Sequence, residues 1–302
     1  MSLSPLSNGD SGFDARTKIN AGLSALNALV SPAVYYVDTA NGDDDTGAVG
    51  NPALPYATAQ AAFDDWQAAG IAGRMHLMRT ATDAGGITLA ASMMVPLHIT
   101  GEGHAASKLG GITADGAAGD PGPEAGGGQP GAPGYGVSIT SDWSVNMGAI
   151  TGRGGAGGAG GTSTIVNTNG GQGGDSSLMR LFNVMCEYVS LIGGSGGAGA
   201  SFDGNDVGGD GGACSQAVLI GVHSRHVNGI QMAPGGGGSG SIGGSAGADA
   251  ADATVVRCVC EAGLAVAATT GIVSHCLAYS YTLTVGLTES FNATNAVPPT
   301  WP

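Results

Sequence analysis

Apolar residues recur along this chain at two spacings, and each spacing predicts a different element. Ile19, Leu23, Leu26 and Val30 lie four, three and four positions apart, which puts them on one face of a helix over residues 14–30. Asp14 can cap its start, and Ser31-Pro32 ends it. The stripe is a coiled-coil seam of about two heptads, so this helix either self-associates or packs on its own domain. An extended apolar segment, Val34 to Val37, precedes a turn-rich stretch from Asp38 to Gly47. A second helix is predicted over Tyr56 to Trp66, with Ala59, Ala62, Phe63 and Trp66 on one side. Short strands then alternate with turns at Met75 to Met78, Gly86 to Leu89 and Val95 to Thr100.

Beyond residue 140 the apolar positions come in blocks. Leu181, Val184, Val189 and Ile192 correspond, at a constant offset of 38, to Leu219, Val222, Val227 and Ile230. Trp143, Val145, Met147 and Ile150 fit the same template, and Val256, Val259 and Leu264 form a later block. Ile272 to Tyr281 extends the pattern without a glycine insertion. Repetition of this kind is the mark of a stacked architecture.

Composition changes the picture of what lies between the blocks. Of 302 residues, 58 are glycine, yet only 11% are charged, which is unlike a disordered chain. From Gly116 to Gly247 the non-glycine residues keep a register of three. Arg153, Ala156 and Ala159 hold it first, then Asn169, Gln172 and Asp175. Ser195 and Ala198 continue it, followed by Val207, Asp210 and Ala213, and more loosely by Ser239, Ile242 and Ser245. The earlier stretch Gly116, Gly119, Gly122, Gly128, Gly131 and Gly134 is collagen-like, with glycine at every third position broken only by Ala125. A helix with three residues per turn puts such residues on one edge. Two all-glycine edges then let neighbouring segments approach to backbone contact and pair their N–H and C=O groups. The glycine segments are read as arms inserted at the same place in successive repeats, each going out and back.

The opening of the chain supplies a resemblance. Tyr35-Tyr-Val-Asp38, Asn41-Gly-Asp43, Pro55 to Asp64 and Ile99-Thr-Gly-Glu-Gly103 resemble the start of pectin-lyase-like right-handed β-helices. They are similar in particular to those that begin bacteriophage tailspike and tail-fibre proteins. The glycine arms resemble the polyglycine sandwich of phage tail-fibre tip adhesins, whose host-binding loops lie at the ends of the glycine helices. The implied fold is all-β, a right-handed parallel β-helix with polyglycine-II arms between rungs and a short N-terminal α-helix. The implied domains are an attachment helix (1–32), the β-helix cap and first rungs (33–115), rungs with arms (116–250), and final rungs with an extended tail (251–302). The implied function is a virion structural protein that presents loops to a host-cell surface receptor, either a polysaccharide or an outer-membrane protein. Other tail or baseplate proteins are the further partners, and a homotrimer is the family-typical state. The alternatives are a tailspike depolymerase acting on capsule or lipopolysaccharide, and a non-phage cell-surface adhesin.

On this resemblance the receptor contacts sit at the arm tips. These are Thr164, Ile165, Val166 and Asn167 in one arm, and Phe202, Asp203, Asn205 and Asp206 in the next. Charge narrows the partners further: a formal charge of −14 with only nine basic residues excludes a phosphate backbone and disfavours anionic membranes. No run approaches the length of a membrane span, and the first ten residues lack the features of a signal peptide. Asp43, Asp44 and Asp45 are candidate calcium ligands without EF-hand spacing. Cys258, Cys260, His275 and Cys276 are either a metal set or small residues stacked in a β core. His223, Arg225 and His226 form the best His/Arg cluster, with His223 and Arg225 on one strand face. Glu102 and His104 alternate beside a glycine turn in the same way. No nucleophile-elbow, zincin or Walker pattern appears, and no cofactor is predicted.

Overall fold

The computed structural model describes residues 33–78, 84–93, 95–103, 106–123, 126–160, 168–199, 206–225, 229–240, 242–284, 287–290 and 292–294. The expected helix over 14–30 lies outside them, as do His104 and His226. In chain order the elements begin with β1 (Ala33–Val37), α1 (Ala59–Ala69), β2 (Gly73–Leu77), β3 (Gly86–Thr88), β4 (Leu97–Gly101) and β5 (Lys108–Thr113). Next come β6 (Val137–Ser141), β7 (Asn146–Thr151), β8 (Met179–Phe182), β9 (Met185–Cys186), β10 (Val189–Ile192), β11 (Ala217–Ile220), β12 (His223–Ser224) and β13 (Ile230–Ala233). The last are β14 (Ala253–Val256), β15 (Val259–Val266), β16 (Gly271–Ser274), β17 (Leu277–Leu283), β18 (Thr288–Ser290) and β19 (Ala293–Thr294).

These strands form an all-β body of two sheets, every pairing in them parallel. Among the described residues the first sheet has nine strands in the order β1-β2-β4-β6-β8-β11-β14-β16-β18. The second has ten, running from β3 through β5, β7, β9 and β12 to β15 and on to β17 and β19, with β10 and β13 bridging β7 to β15. Each pass of the chain adds a tier to both sheets, so like positions stack. Leu97, Ile139, Leu181, Leu219, Val255 and Val273 are partners across six successive strands, and all are buried. Each such side chain removed from water contributes about 1.5–3 kcal/mol. The alternation of inward and outward residues is the period-two pattern of a strand with one buried face.

The cap helix starts later than predicted, at Ala59, because Pro55 and Tyr56 still run extended beside Val37. Thr58 caps it by accepting a hydrogen bond from Ala61 N–H, and Gly70 (φ 62) closes it. Its Ala59, Ala62, Phe63 and Trp66 are buried, as predicted, and the helix packs on β1, β2 and β3. Two block readings need correction. The offset of 38 holds for Leu181 and Leu219, but Val189 pairs with Ile230 and Ile192 with Ala233. The second tier carries extra residues between β12 and β13, and these shift the register. In the later block Val256 and Val259 point outward and half-exposed, while Val255, Cys258 and Cys260 point inward.

Candidate functional site: the glycine arms and the outer wall

Between a strand of the second sheet and the next strand of the first, the chain leaves as one glycine segment and returns as another. Four such excursions stack. The outgoing segments are 116–122, 154–160, 193–199 and 235–240; the returning ones are 128–134, 170–175, 208–213 and 243–247. Among outgoing segments, Gly116, Gly119 and Gly122 donate to the carbonyls of Arg153, Ala156 and Ala159 at 2.7–2.8 Å. Gly154, Gly157 and Gly160 donate in the same way to Ile192, Ser195 and Ala198. Between columns, Gly155 and Gly158 donate to Ala132 and Gln129, and Gly171 and Gly174 donate back to Gly158 and Gly155, all at 2.8 Å. Each interior segment is therefore tied to the layer above, the layer below and the facing column.

The residues at the period of three lie on the outer edge, as predicted. Arg153, Ala156, Ala159, Asn169, Gln172, Asp175, Ser195 and Ala198 are exposed. Three aspartates close part of that edge: Asp115, Asp175 and Asp210 each accept, through Oδ1, the N–H of Arg153, Ala213 and Ser245 in the next layer, at 2.7–2.8 Å. Side chains would not fit on the other two edges of the interior segments. A Cβ at Gly154 would stand 1.7 Å from the Gly174 oxygen, and one at Gly155 would stand 1.8 Å from that of Ala117.

The predicted contact residues Thr164, Ile165, Val166, Asn167, Phe202, Asp203 and Asn205 lie outside the described residues. Asp206 is described and is 4% exposed, with its carbonyl accepting the Ile242 N–H at 3.0 Å. It is a foot of the tip rather than a displayed group. Ile242, placed by the sequence on the looser register with Ser239 and Ser245, is 56% exposed at the fourth arm's turn. The turn of the first arm closes with Gly126 N–H donating to Pro123 O at 2.7 Å.

The calcium expectation fails on how the aspartates are used. Asp44 Oδ1 accepts the N–H groups of Ala57 and Thr58, and its Oδ2 accepts the Thr58 hydroxyl at 2.8 Å, so it organises the start of α1. Asp43 Oδ1 accepts the Asp45 N–H at 2.8 Å. Among the described residues no cluster of His, Cys, Asp and Glu is fit to hold a metal ion. The cysteines take the core reading. All five are free and buried, with Val184, Val222, Cys258 and Cys276 each following a tier's corner residue. Burial pushes the Cys260 thiol up to about 12.

On the outer wall of the second sheet, His223 Nε2 lies 3.4 Å from Glu261 Oε1, and Arg225 Nε lies 3.9 Å from the same oxygen. Burial pulls the His223 pKa below its usual value, with Glu261 opposing that shift. Glu187 precedes Arg225 in the neighbouring tier and lines a shallow groove of about 220 Å³ with Lys108, Gly110, Asn146 and Gly148. Glu102 stands 3.9 Å from His76. Among the described residues no helix is long and apolar enough to cross a membrane. No family model matches the chain, and neither the curated proteins nor the solved structures include a match.

Proposed function

We propose that this chain is a virion structural protein, a tail-fibre or spike component, whose arms present loops to a receptor on the host-cell surface. In this reading the two parallel sheets coil as a right-handed β-helix, the hand that parallel crossovers take, and the glycine segments are polyglycine-II helices. The observation that carries it is the backbone lattice. Ordering glycine is entropically costly, and four hydrogen-bonded layers hold it rigid in excursions that add nothing to the sheet core. At ~3.1 Å per residue, a segment of about seven residues spans about 22 Å, which carries the chain well clear of the sheets. Display of those turns is a use that justifies such a structure. The receptor is a polysaccharide or an outer-membrane protein, the remaining partners are other tail or baseplate proteins, and the assembly is a homotrimer.

The test is adsorption to whole host cells by the intact chain and by a chain whose segments 162–168 and 201–206 are replaced with Gly/Ser sequence. Adsorption undiminished by the replacement would sink the reading. A depolymerase is the second reading, because Glu187 and Glu261 flank Arg225 in one outward row. Two strand spacings separate them by roughly 10 Å, near the upper limit for an inverting carboxylate pair. It is the weaker reading, since Glu261 is already engaged by His223 at 3.4 Å and Arg225 at 3.9 Å rather than free to face a substrate. Release of reducing sugar from host capsule or lipopolysaccharide, abolished in Glu261→Gln, would establish it.

A further inference from the structure

The outer corner between the two sheets is a column with one left-handed residue per tier: Trp143 (φ 63), Asn183 (φ 55), Gly221 (φ 66), Arg257 (φ 53) and His275 (φ 54). Glycine and asparagine suit this conformation, whereas a bulky aromatic does not. Trp143 nevertheless occupies it and is 50% exposed. Its indole is fixed in place: Nε1 donates to the Gly221 carbonyl at 2.9 Å, reaching past the tier of Asn183. The indole lies against Gly221, where an added Cβ would be in ordinary contact with Trp143 Cζ2 at 3.5 Å but would crowd Asn183 Oδ1 at 2.6 Å. The ring's only hydrogen-bonding group is thus spent on the backbone, and half of its surface faces solvent.

We infer that this corner is a saccharide-binding site at which one pyranose ring of a surface glycan stacks on the Trp143 indole. The electron-rich face of an indole attracts the C–H face of a sugar, which its ring oxygen and hydroxyls polarise positive. Asn183 and Arg257, exposed in the two tiers that flank Gly221, supply the hydrogen-bonding groups that hydroxyls or a sugar carboxylate need. A protein partner would want this aromatic inside a broad apolar patch, and its column neighbours are polar. The net charge of −14 argues against a nucleic-acid base carried on phosphate. Locating the glycan on a host surface rests on the proposed function, but the site is separate from the arm tips.

The test is calorimetric titration of the full chain with the methyl glycosides of glucose, galactose and mannose, and with purified lipopolysaccharide and capsular polysaccharide. The same titrations are run on Trp143→Ala, Trp143→Phe, Arg257→Ala and the tip-replaced chain. The expected result is binding by the intact and tip-replaced chains, weakened about tenfold or more in Trp143→Ala. Trp143→Phe should lose less, because it keeps a ring face. Unchanged affinity in Trp143→Ala overturns the site, as does silence toward every saccharide or competition by a protein ligand. If Trp143→Ala has lost its cooperative melting transition, Trp143→Phe and Arg257→Ala decide: weakening in either supports the site, and full affinity in both overturns it. Cell adsorption lost on tip replacement while saccharide binding is absent leaves the tip reading standing and removes only this inference.

Discussion

A methyl group added at Gly157 would come within 1.9 Å of the Gly171 carbonyl oxygen, whereas one added at Gly236 would meet no atom within 4 Å. Both residues sit in the glycine arms, so composition treats them alike and geometry does not. Gly157→Ala is expected to cost about 3 kcal/mol or more, at the upper end of overpacking penalties. Gly236→Ala should raise stability by less than about 1 kcal/mol, because it restricts the unfolded chain. Paired thermal melts decide between these outcomes. His223 gives a pH-dependent case. Burial lowers its pKa in the fold, so below the unfolded value of about 6.5 the unfolded chain binds the proton more readily. Stability contributed by neutral His223 is present above that pH and is lost as pH falls toward the folded pKa. Glu261→Gln removes the group that opposes the shift, so the acid loss should deepen relative to wild type in melts taken between about pH 7 and 4. At this scale the sequence was legible where a residue's neighbours lie close in the chain. The outer-edge register of Arg153, Ala156 and Ala159 could be read directly. Trp143 was taken for a member of an apolar block, because the left-handed corner that turns it outward is set by stacking on tiers more than 30 residues away.

Among the elements, the arms differ in a way that one rule explains. Interior segments have glycine on two edges because both face a neighbour. In the first layer, Ala117, Asp120, Gln129 and Ala132 stand where the second layer has Gly155, Gly158, Gly171 and Gly174. Those positions face the preceding layer, which the first does not have, so one glycine edge is enough and the repeat looks like collagen. Amides of Gly154, Gly157 and Gly160, bonded at 2.8–2.9 Å to the next layer, should exchange with solvent far more slowly than random coil. Random-coil rates measured by hydrogen exchange would show that the lattice does not persist in solution. The period of three announced which residues of the glycine segments face outward, and the offset of 38 announced the tiers up to β12. The offset failed at Val189 because an insertion between β12 and β13 changes the count without changing the fold, and an apolar pattern carries no mark of where an extra loop residue falls.

At the scale of the molecule the construction is modular, since each tier contacts chiefly its neighbours. Residues 179–216 make one repeat, and Met179 and Ala217 are register partners in adjacent strands. Excising that span should leave a chain that still melts cooperatively, at a lower temperature, with β6 pairing to β11; loss of a cooperative transition would contradict the modular reading. All five thiols, buried in the native chain, should resist alkylation until it is unfolded. The lattice has one further property. Pro234 stands where Gly154 and Gly193 donate to the following layer, and Ala246 stands where the third layer has Gly211. An array of hydrogen-bonded glycine segments is in effect a small crystal, whose last face offers the same backbone groups to a further layer. A residue without an N–H in one column and a methyl group in the other are changes that would hinder growth on that face. The arms are thereby a crystallite of fixed size, in which the sequence sets both nucleation and arrest.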